Sequence, residues 1–347
     1  MAMRSMKLPG GPTQQTYTNL RITARLAAVG VAAVLLLPSN QSQLGTQNAA
    51  LTAQQKPTTT PSTRRLIASF GSTQLAALGI RIRVRDTAAL ESSIMHHYAG
   101  VNVHADPHRP IPNVFVDHLP GDFAQVMPVD KRKQLFVQSV LPLVLLVNAK
   151  IEAIRGRLQS LAAQQTLSAD DQLWIMALQE RYGLSRDDAH SGAVRPGAAK
   201  KLLLHIDIIP VSLALSQAAA ESGWGRSRFA RQGNALFGQW TEDGERGLLP
   251  LNRDQDKRHF VRAFPNLLAS VDSYMRNLNS HPAYHDFRVA RAGARQRNLP
   301  LNSLFLVGYL NAYSERGHVY IEELRTIIRV NKFSALDNSR LRNQTAI

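Results

Sequence analysis

Cysteine is absent from this chain of 347 residues. Neither a disulfide framework nor a thiol nucleophile can therefore contribute, and cysteine usage leaves the redox compartment undetermined. Aromatic residues make up only 6% of the chain, and acidic residues are scarce, at 25 against 41 lysines and arginines. The net charge of +16 predicts attraction to a polyanion. No zinc-finger cysteine pattern or aromatic RNA-binding strand accompanies that charge, so we expect a cell-wall or membrane surface and no nucleic acid.

Signature motifs of several enzyme classes are also missing. The run Gly223–Gly225 stands without the rest of a dinucleotide-binding fingerprint, and no serine lies in a Gly-x-Ser-x-Gly elbow. His281 and His285 have a spacing that could bind zinc from a helix, but Pro282 lies between them and no His-Glu-x-x-His run exists. We therefore expect surface histidines there, and we predict neither a metal nor a cofactor.

Long apolar runs are few, and the first one lies near the N-terminus. Arg21 and Arg25 precede the uncharged stretch 26–37, which Pro38 ends. A basic region followed by an apolar region shorter than a membrane span of about 20 residues is typical of a signal peptide. No small-x-small cleavage site follows, so an uncleaved anchor in the inner membrane remains open. We expect an exported protein of the periplasm or cell envelope.

Composition divides the remaining chain. A segment rich in glutamine, threonine and proline cannot bury enough apolar surface to offset its ordering entropy, and therefore predicts a disordered linker. The organisation expected from the sequence is a signal peptide or anchor at 1–38, a disordered linker at 39–65, a poorly determined adapter at 66–112, and a catalytic domain with preceding helices at 113–340. Short apolar pieces near residue 80 indicate one strand or an adapter in the third segment.

Helical patterns dominate after Pro128, with one interruption. Between Trp240 and Phe264, glycines and charged turns flank short apolar pieces, which predicts a small β-hairpin lobe. The apolar stretch Val140 to Val147 is more simply a buried helix face than a second membrane span. Helices are predicted at 136–158, at 161–184 with a break at Ser168, at 270–278, at 301–313 and at 321–330.

Glu221 is the most informative residue. Asp207 is expected to cap the helix that carries it, and Gly223 to end that helix. Its neighbours one and two turns earlier, Ala214, Gln217 and Ala218, form a small face that should pack inward. Burial there would raise the pKa of Glu221 toward neutrality, as a general acid requires. On these residues alone, an exposed last-turn glutamate remains the alternative.

Several ordered motifs extend this pattern. They are Glu221–Gly225, Ser227–Ala230, Asn234–Trp240, Ser273–Asn279 and Tyr313–Gly317, followed by Tyr320. Together they make residues 113–333 resemble the Bax-type peptidoglycan glucosaminidases of glycoside hydrolase family 73. The resemblance implies an α+β, predominantly helical, lysozyme-like fold. It also implies an endo-β-N-acetylglucosaminidase that cuts the β-1,4 bonds of peptidoglycan.

The resemblance also implies roles for residues. Glu221 would be the proton donor, and Tyr320 the tyrosine of the cleft, although its spacing from Tyr313 is one residue longer than in the common form of the motif. Phe237 is expected to buttress the loop, whereas Trp240 and Tyr313 offer rings on which a sugar can stack. The predicted substrate-binding set is Gln217, Asn234, Phe237, Gln239, Trp240 and Tyr313.

The second catalytic group is left open by the sequence. Glycosidases usually pair the acid with an ionised carboxylate, and Asp254, Asp256 and Glu315 are the candidates. Alternatively, the acetamido group of the substrate assists. A lytic transglycosylase and a non-catalytic wall-binding module are the alternatives to the hydrolase.

Overall fold

The structure is a computed structural model that describes residues 79–101, 103, 109–184, 196–249 and 260–342. The predicted signal peptide or anchor, the linker, and two candidate carboxylates, Asp254 and Asp256, lie outside these residues. The described helices are α1 Thr87–His97, α2 Val129–Ala162, α3 Ala169–Arg181, α4 Pro196–His205, α5 Val211–Ser222, α6 Arg228–Gly233, α7 Leu267–Ser280, α8 His285–Gln296, α9 Ser303–Leu306 and α10 His318–Val330. The strands are β1 Ile80–Ile82, β2 Val114–Val116, β3 Trp240–Thr241, β4 Gly247–Leu248 and β5 Phe260–Arg262.

Helix α2 is the centre of the core. Its residues from Leu135 to Val147 are all buried, and the helix packs against α4, α5, α7 and β2. In the part of the chain that the structure describes, α2 is the one helix long and apolar enough to cross a membrane, which by itself is weak evidence. Most of its apolar window is buried against the rest of the protein. The prediction of a core face is confirmed.

The predicted adapter is continuous with the catalytic body. Strand β1 pairs in parallel with β2, with Ile80 opposite Val114, and Leu90 and Ile94 of α1 belong to the same hydrophobic core as α2 and α5. The single strand expected near residue 80 is confirmed. Among the described residues, the segments before and after residue 112 therefore pack into one body, although the composition changes there.

The helical expectations hold except at connections and caps. Ser168 caps α3 by accepting from the amide of Asp171 at 3.2 Å, as predicted. Proline and glycine in the segment 193–199 favour a connection, but α4 already starts there, at Pro196. The predicted helix 301–313 is α9 followed by two short 3-10 turns. The β lobe has three antiparallel strands in the order β3-β5-β4. It is thus one strand larger than a hairpin.

The expected cap of α5 is wrong. Asp207 does not reach the first turn of that helix; Asp337 does, accepting from the amide of Ser212 at 2.8 Å. Asp207 is instead buried between helices and takes two hydrogen bonds from Arg295, at 2.9 and 3.0 Å. Burial alone would raise the pKa of Asp207, but the bonds from Arg295 and the charges of Arg291 and Arg155 hold it below the usual value. Asp207 therefore joins α8 to the start of α5.

We expect Asp207→Asn to lower the free energy of unfolding by about 3 kcal/mol or more, because removing one partner leaves buried guanidinium groups uncompensated. The control is Asp171→Asn, which breaks the more exposed pair with Arg157 and should cost at most about 1 kcal/mol. Urea denaturation at pH 7 measures both. Because the folded pKa of Asp207 is depressed, the difference between wild type and Asp207→Asn should shrink as pH falls below about 4. Equal losses in the two variants would contradict this role.

Candidate active site

The conformation of the turn after α5 requires the serine and the two glycines of the motif Glu221–Gly225. Gly223 adopts φ 59° and ends the helix as predicted, and the Ser222 hydroxyl accepts from the amide of Gly225 at 2.9 Å. Gly225 has φ 78°, and a β-carbon there would lie 2.8 Å from Leu119 and Phe123. Any other residue would collide with these two side chains. The run that follows Glu221 is therefore a tightly constrained turn, which holds the end of α5 in place.

Glu221 lies in the last turn of α5, where the inner face is fully buried. Ala214, Gln217 and Ala218 have no exposed surface, so the predicted inward packing is confirmed. Burial of the carboxyl raises the pKa of Glu221 to about 7. The Tyr320 hydroxyl and the charge of Arg316 lower this pKa, and the charge of Glu323 raises it further. The direction agrees with the expectation from sequence. A carboxyl with this pKa can hold its proton near neutral pH.

A buried chain of hydrogen bonds leads to Glu221. The Tyr274 hydroxyl donates to the amide oxygen of Gln217 at 2.6 Å, and the amide nitrogen of Gln217 donates to the Tyr320 hydroxyl at 3.0 Å. Since that hydroxyl accepts from Gln217, its own proton is free to point at Glu221, which lies within reach of a hydrogen bond. Gln217, Tyr274 and Tyr320 are themselves fully buried. In this structure, Gln217 and Tyr320 therefore position Glu221 and offer no surface to a sugar.

Stacked aromatic rings support this chain from both sides. Tyr313 lies parallel to Tyr320, with ring centroids 5.7 Å apart, and Phe237 lies parallel to Tyr274 at 3.8 Å. The Tyr313 hydroxyl donates to the Phe237 carbonyl at 3.2 Å. Phe237 is buried, as expected of a buttress, whereas Tyr313 is half-buried. The rings fix the orientation of the two tyrosine hydroxyls and tie them to the loop that follows α6.

That loop, Asn234–Gln239, brings backbone close to the acid. Asn234 is buried with φ 53°, and its amide donates to the Phe264 carbonyl at 2.8 Å, so it anchors the loop. Gly238 has φ 62°, and a β-carbon there would lie 3.5 Å from Oε2 of Glu221. The side-chain amide nitrogen of Gln239 donates one long hydrogen bond, 3.5 Å, to the Ser273 carbonyl. The side-chain oxygen of Gln239 is buried without a donor among the described residues. Glycine at 238 keeps the space beside the carboxyl open.

The remaining predicted residues lie farther from this chain. Trp240 is 40% exposed on β3, next to the loop, where its ring is accessible. Glu315 is exposed ahead of α10 and is not among the groups that shift the pKa of Glu221. His281 uses its ring nitrogen to cap a short turn by accepting from the amide of Ala283. No group of three metal-binding side chains occurs within the ranges that the structure describes.

The sequence motifs did not predict two charged site residues near Glu221. Arg316 and Glu323 form an ion pair at 2.5 Å, and both act on the pKa of Glu221. Arg316 also lies over the Tyr320 ring, 5.2 Å from its centroid. A signal for Glu323 existed: it follows Tyr320 by three residues and so lies one turn farther along α10.

Comparison with known proteins identifies the family of this segment. A glucosaminidase family model, described as mannosyl-glycoprotein endo-β-N-acetylglucosaminidase, matches residues 197–333, the segment from α4 to α10 that holds Glu221 and its partners. Protein bax of Escherichia coli (strain K12) is 33% identical over 201 residues, which cover 58% of this chain and 70% of that protein. No solved structure matches the chain. The chain therefore belongs to the glucosaminidase family and is a glycosidase of the endo-β-N-acetylglucosaminidase type.

Proposed function

We propose that this glycosidase cuts the glycan strand of peptidoglycan, as in glycoside hydrolase family 73, with Glu221 as the general acid. The bond would be the β-1,4 bond on the reducing side of N-acetylglucosamine. The observation that carries the proposal is a half-buried carboxyl at the end of α5, which Gly238 borders and whose pKa is raised to about 7 by burial. A carboxylic acid with this pKa holds its proton near neutral pH and can still release it to a leaving oxygen.

The neighbours of Glu221 suit that step. Glu221 gives its proton to the glycosidic oxygen as the bond to the anomeric carbon breaks, and becomes a carboxylate. The Tyr320 hydroxyl then donates to this carboxylate, and Arg316 adds a favourable charge. Both interactions are stronger with the anion than with the acid, so they favour the state reached during proton transfer. Tyr320 is accordingly proposed as a positioning residue.

We propose that the acetamido group of the substrate, and no second carboxylate, attacks the anomeric carbon. Among the described residues, Glu315 is exposed and Glu323 is held by Arg316. Glu315 is thus left to solvent, and Glu323 is already engaged by a cation, so neither is poised to activate water. The acetamido group travels with the substrate, and Gly238 places no side chain beside the carboxyl of Glu221. The acetamido oxygen bonds to the anomeric carbon as the leaving sugar departs with the proton of Glu221, and water then breaks that new bond and takes its place. The two successive inversions give retention, whereas direct attack by water gives inversion.

Export and attachment to the envelope are part of the proposal. They rest on Arg21, Arg25 and the apolar stretch 26–37, together with the excess of 16 positive charges. The cell wall is the polymer that such a location makes available, and its carboxylates match the charge of the protein. The chain would therefore act in the periplasm or at the outer face of the inner membrane.

Glu221→Gln keeps the shape of the side chain and removes the transferable proton. We expect kcat on purified sacculi to fall by at least about 10²-fold with little change in stability. Glu180→Gln, at an exposed glutamate on α3, is the matched control and should keep wild-type activity. Release of soluble fragments measures turnover, and circular dichroism checks the fold. A Glu221→Gln enzyme with full activity would sink the assignment of the acid.

The pH profile tests the neighbours of Glu221 with opposite signs. Since a general acid must be protonated, kcat/KM of the wild type should fall as pH rises through about 7. Tyr320→Phe removes a contact that lowers the pKa of Glu221, so the fall should move to higher pH. Glu323→Gln removes a contact that raises it, so the fall should move to lower pH. Shifts of the same sign, or none in either variant, would contradict the arrangement.

The ends of the products separate the mechanisms. We expect mass spectrometry of digested sacculi to find reducing N-acetylglucosamine ends, and NMR of fresh product to find retention. Anhydro-muramic acid ends would identify a lytic transglycosylase instead. Intact sacculi that nonetheless bind the protein would identify a wall-binding module. Inverted product, together with loss of turnover in Asp254→Ala or Asp256→Ala, would replace the acetamido group by a water-activating carboxylate.

A further inference from the structure

A cavity of about 650 Å³ opens between the β lobe and the helices. Three guanidinium groups line it: Arg181 at the end of α3, Arg262 on β5 and Arg276 on α7. Two carboxylates also line it, those of Asp272 and of the exposed Glu245. The rest of the wall is built mainly from the loop after β5 and the first turns of α7.

The charges in this cavity do not balance. Asp272 is already shared by two cations, since Lys150 lies 3.2 Å from one of its oxygens and Arg181 lies 3.0 Å from the other. Within the described ranges, Arg262 and Arg276 have no carboxylate at ion-pair distance. With Lys150 included, four cations therefore face two carboxylates, and Arg262 and Arg276 are the two cations without an ion pair among the described residues.

Crowding of like charges gives the cavity a preference for anions. Burial and then the charge of Arg181 lower the pKa of Arg276, and the charge of Arg262 adds to this against the raising effect of Asp272. A bound anion would offset this repulsion. The planar fork of a guanidinium group matches a carboxylate with two parallel hydrogen bonds, which a neutral hydroxyl or amide cannot replace.

A short stretch of loop links the acid to the cavity. Gly238 borders the carboxyl of Glu221, and the next residue, Gln239, bonds to the carbonyl of Ser273, which lines the cavity. On α7, Ser273 is followed directly by Tyr274 of the hydrogen-bond chain. Two adjacent loop residues thus connect Glu221 to the wall of the cavity. A sugar chain bound at Glu221 could place a substituent there.

We propose that the cavity of Arg181, Arg262 and Arg276 binds a carboxylate carried by every second sugar of the glycan strand, and so makes the enzyme prefer carboxylated strands over neutral ones. This inference rests on the proposed function. In peptidoglycan, the carboxylate has two sources of the same chemistry: the lactyl group on oxygen 3 of muramic acid, and the peptide attached to that group. A plain N-acetylglucosamine polymer carries neutral hydroxyls and no carboxylate, so it offers no anionic partner to the guanidinium groups.

Three strand preparations of matched length test the proposal: strands with their peptides, strands stripped of peptides so that lactyl carboxylates are exposed, and stripped strands whose lactyl carboxylates are converted to neutral methylamides. We expect kcat/KM of the wild type to be about 10-fold or more higher on a carboxylated form than on the neutral form, the scale of a charge-assisted pair. Preference for the stripped form identifies the lactyl group, and preference for the peptide-bearing form alone identifies the peptide.

Variants assign the preference to the cavity. Arg262→Gln and Arg276→Gln should bring the ratio of kcat/KM on carboxylated strands to kcat/KM on neutral strands toward one. The control Arg85→Gln removes the same charge from an exposed position outside the cavity and should leave this ratio unchanged. If Arg276→Gln fails to fold, Arg262→Gln alone decides. A wild-type ratio near one, or a ratio that survives in folded Arg262→Gln, would overturn the proposal.

Failure of the proposed function gives a different result. If the wild type cleaves none of the three preparations, peptidoglycan hydrolysis is wrong whatever the cavity does. The cavity is then judged by calorimetric binding of the same strands. Tighter binding of a carboxylated form that is lost in Arg262→Gln supports the carboxylate site, and equal affinity for all forms excludes it.

Discussion

Burial of a single carboxyl group, that of Glu221, is the constraint on which the rest of the site depends. A buried carboxyl resists ionisation, and its neighbours must therefore be oriented before the proton leaves. Tyr320 provides the orientation, Gln217 fixes the direction of the Tyr320 hydroxyl, and Tyr274 satisfies Gln217. Each buried polar group requires a partner of its own. This requirement ties α5, α7 and α10 into one arrangement.

Local signals made part of this structure predictable. The stop at Gly223 and the cap at Ser168 depend on residues within a few positions of each other. The inward packing of the face that carries Glu221 followed from small residues one and two turns before it, because helix geometry places them on the same face. The general fold class was predictable for the same reason, since helical periodicity and the glycine-rich interruption are properties of short windows of sequence.

Partners distant in sequence were not predictable in this way. Gln217 contacts tyrosines 57 and 103 residues away, and Ser212 is capped by Asp337 from 125 residues away. Asp207 looked like the cap because it is the nearest acid before α5, but a buried site among arginines binds it more strongly than a helix start would. Parallel pairing of β1 with β2 likewise joined the adapter to the core without any local sign of it.

Charge near Glu221 is arranged so that burial dominates its pKa. Arg316 lowers the pKa and Glu323 raises it, and the two are paired with each other. These two effects are opposed, and the lowering effect of the Tyr320 hydroxyl is smaller than that of burial, so desolvation is the largest cause of the shift. A sugar that covers the carboxyl would displace water from the open side next to Gly238 and increase that desolvation. In the proposed reaction, substrate binding would therefore strengthen the hold of Glu221 on its proton until the glycosidic oxygen is in place to accept it.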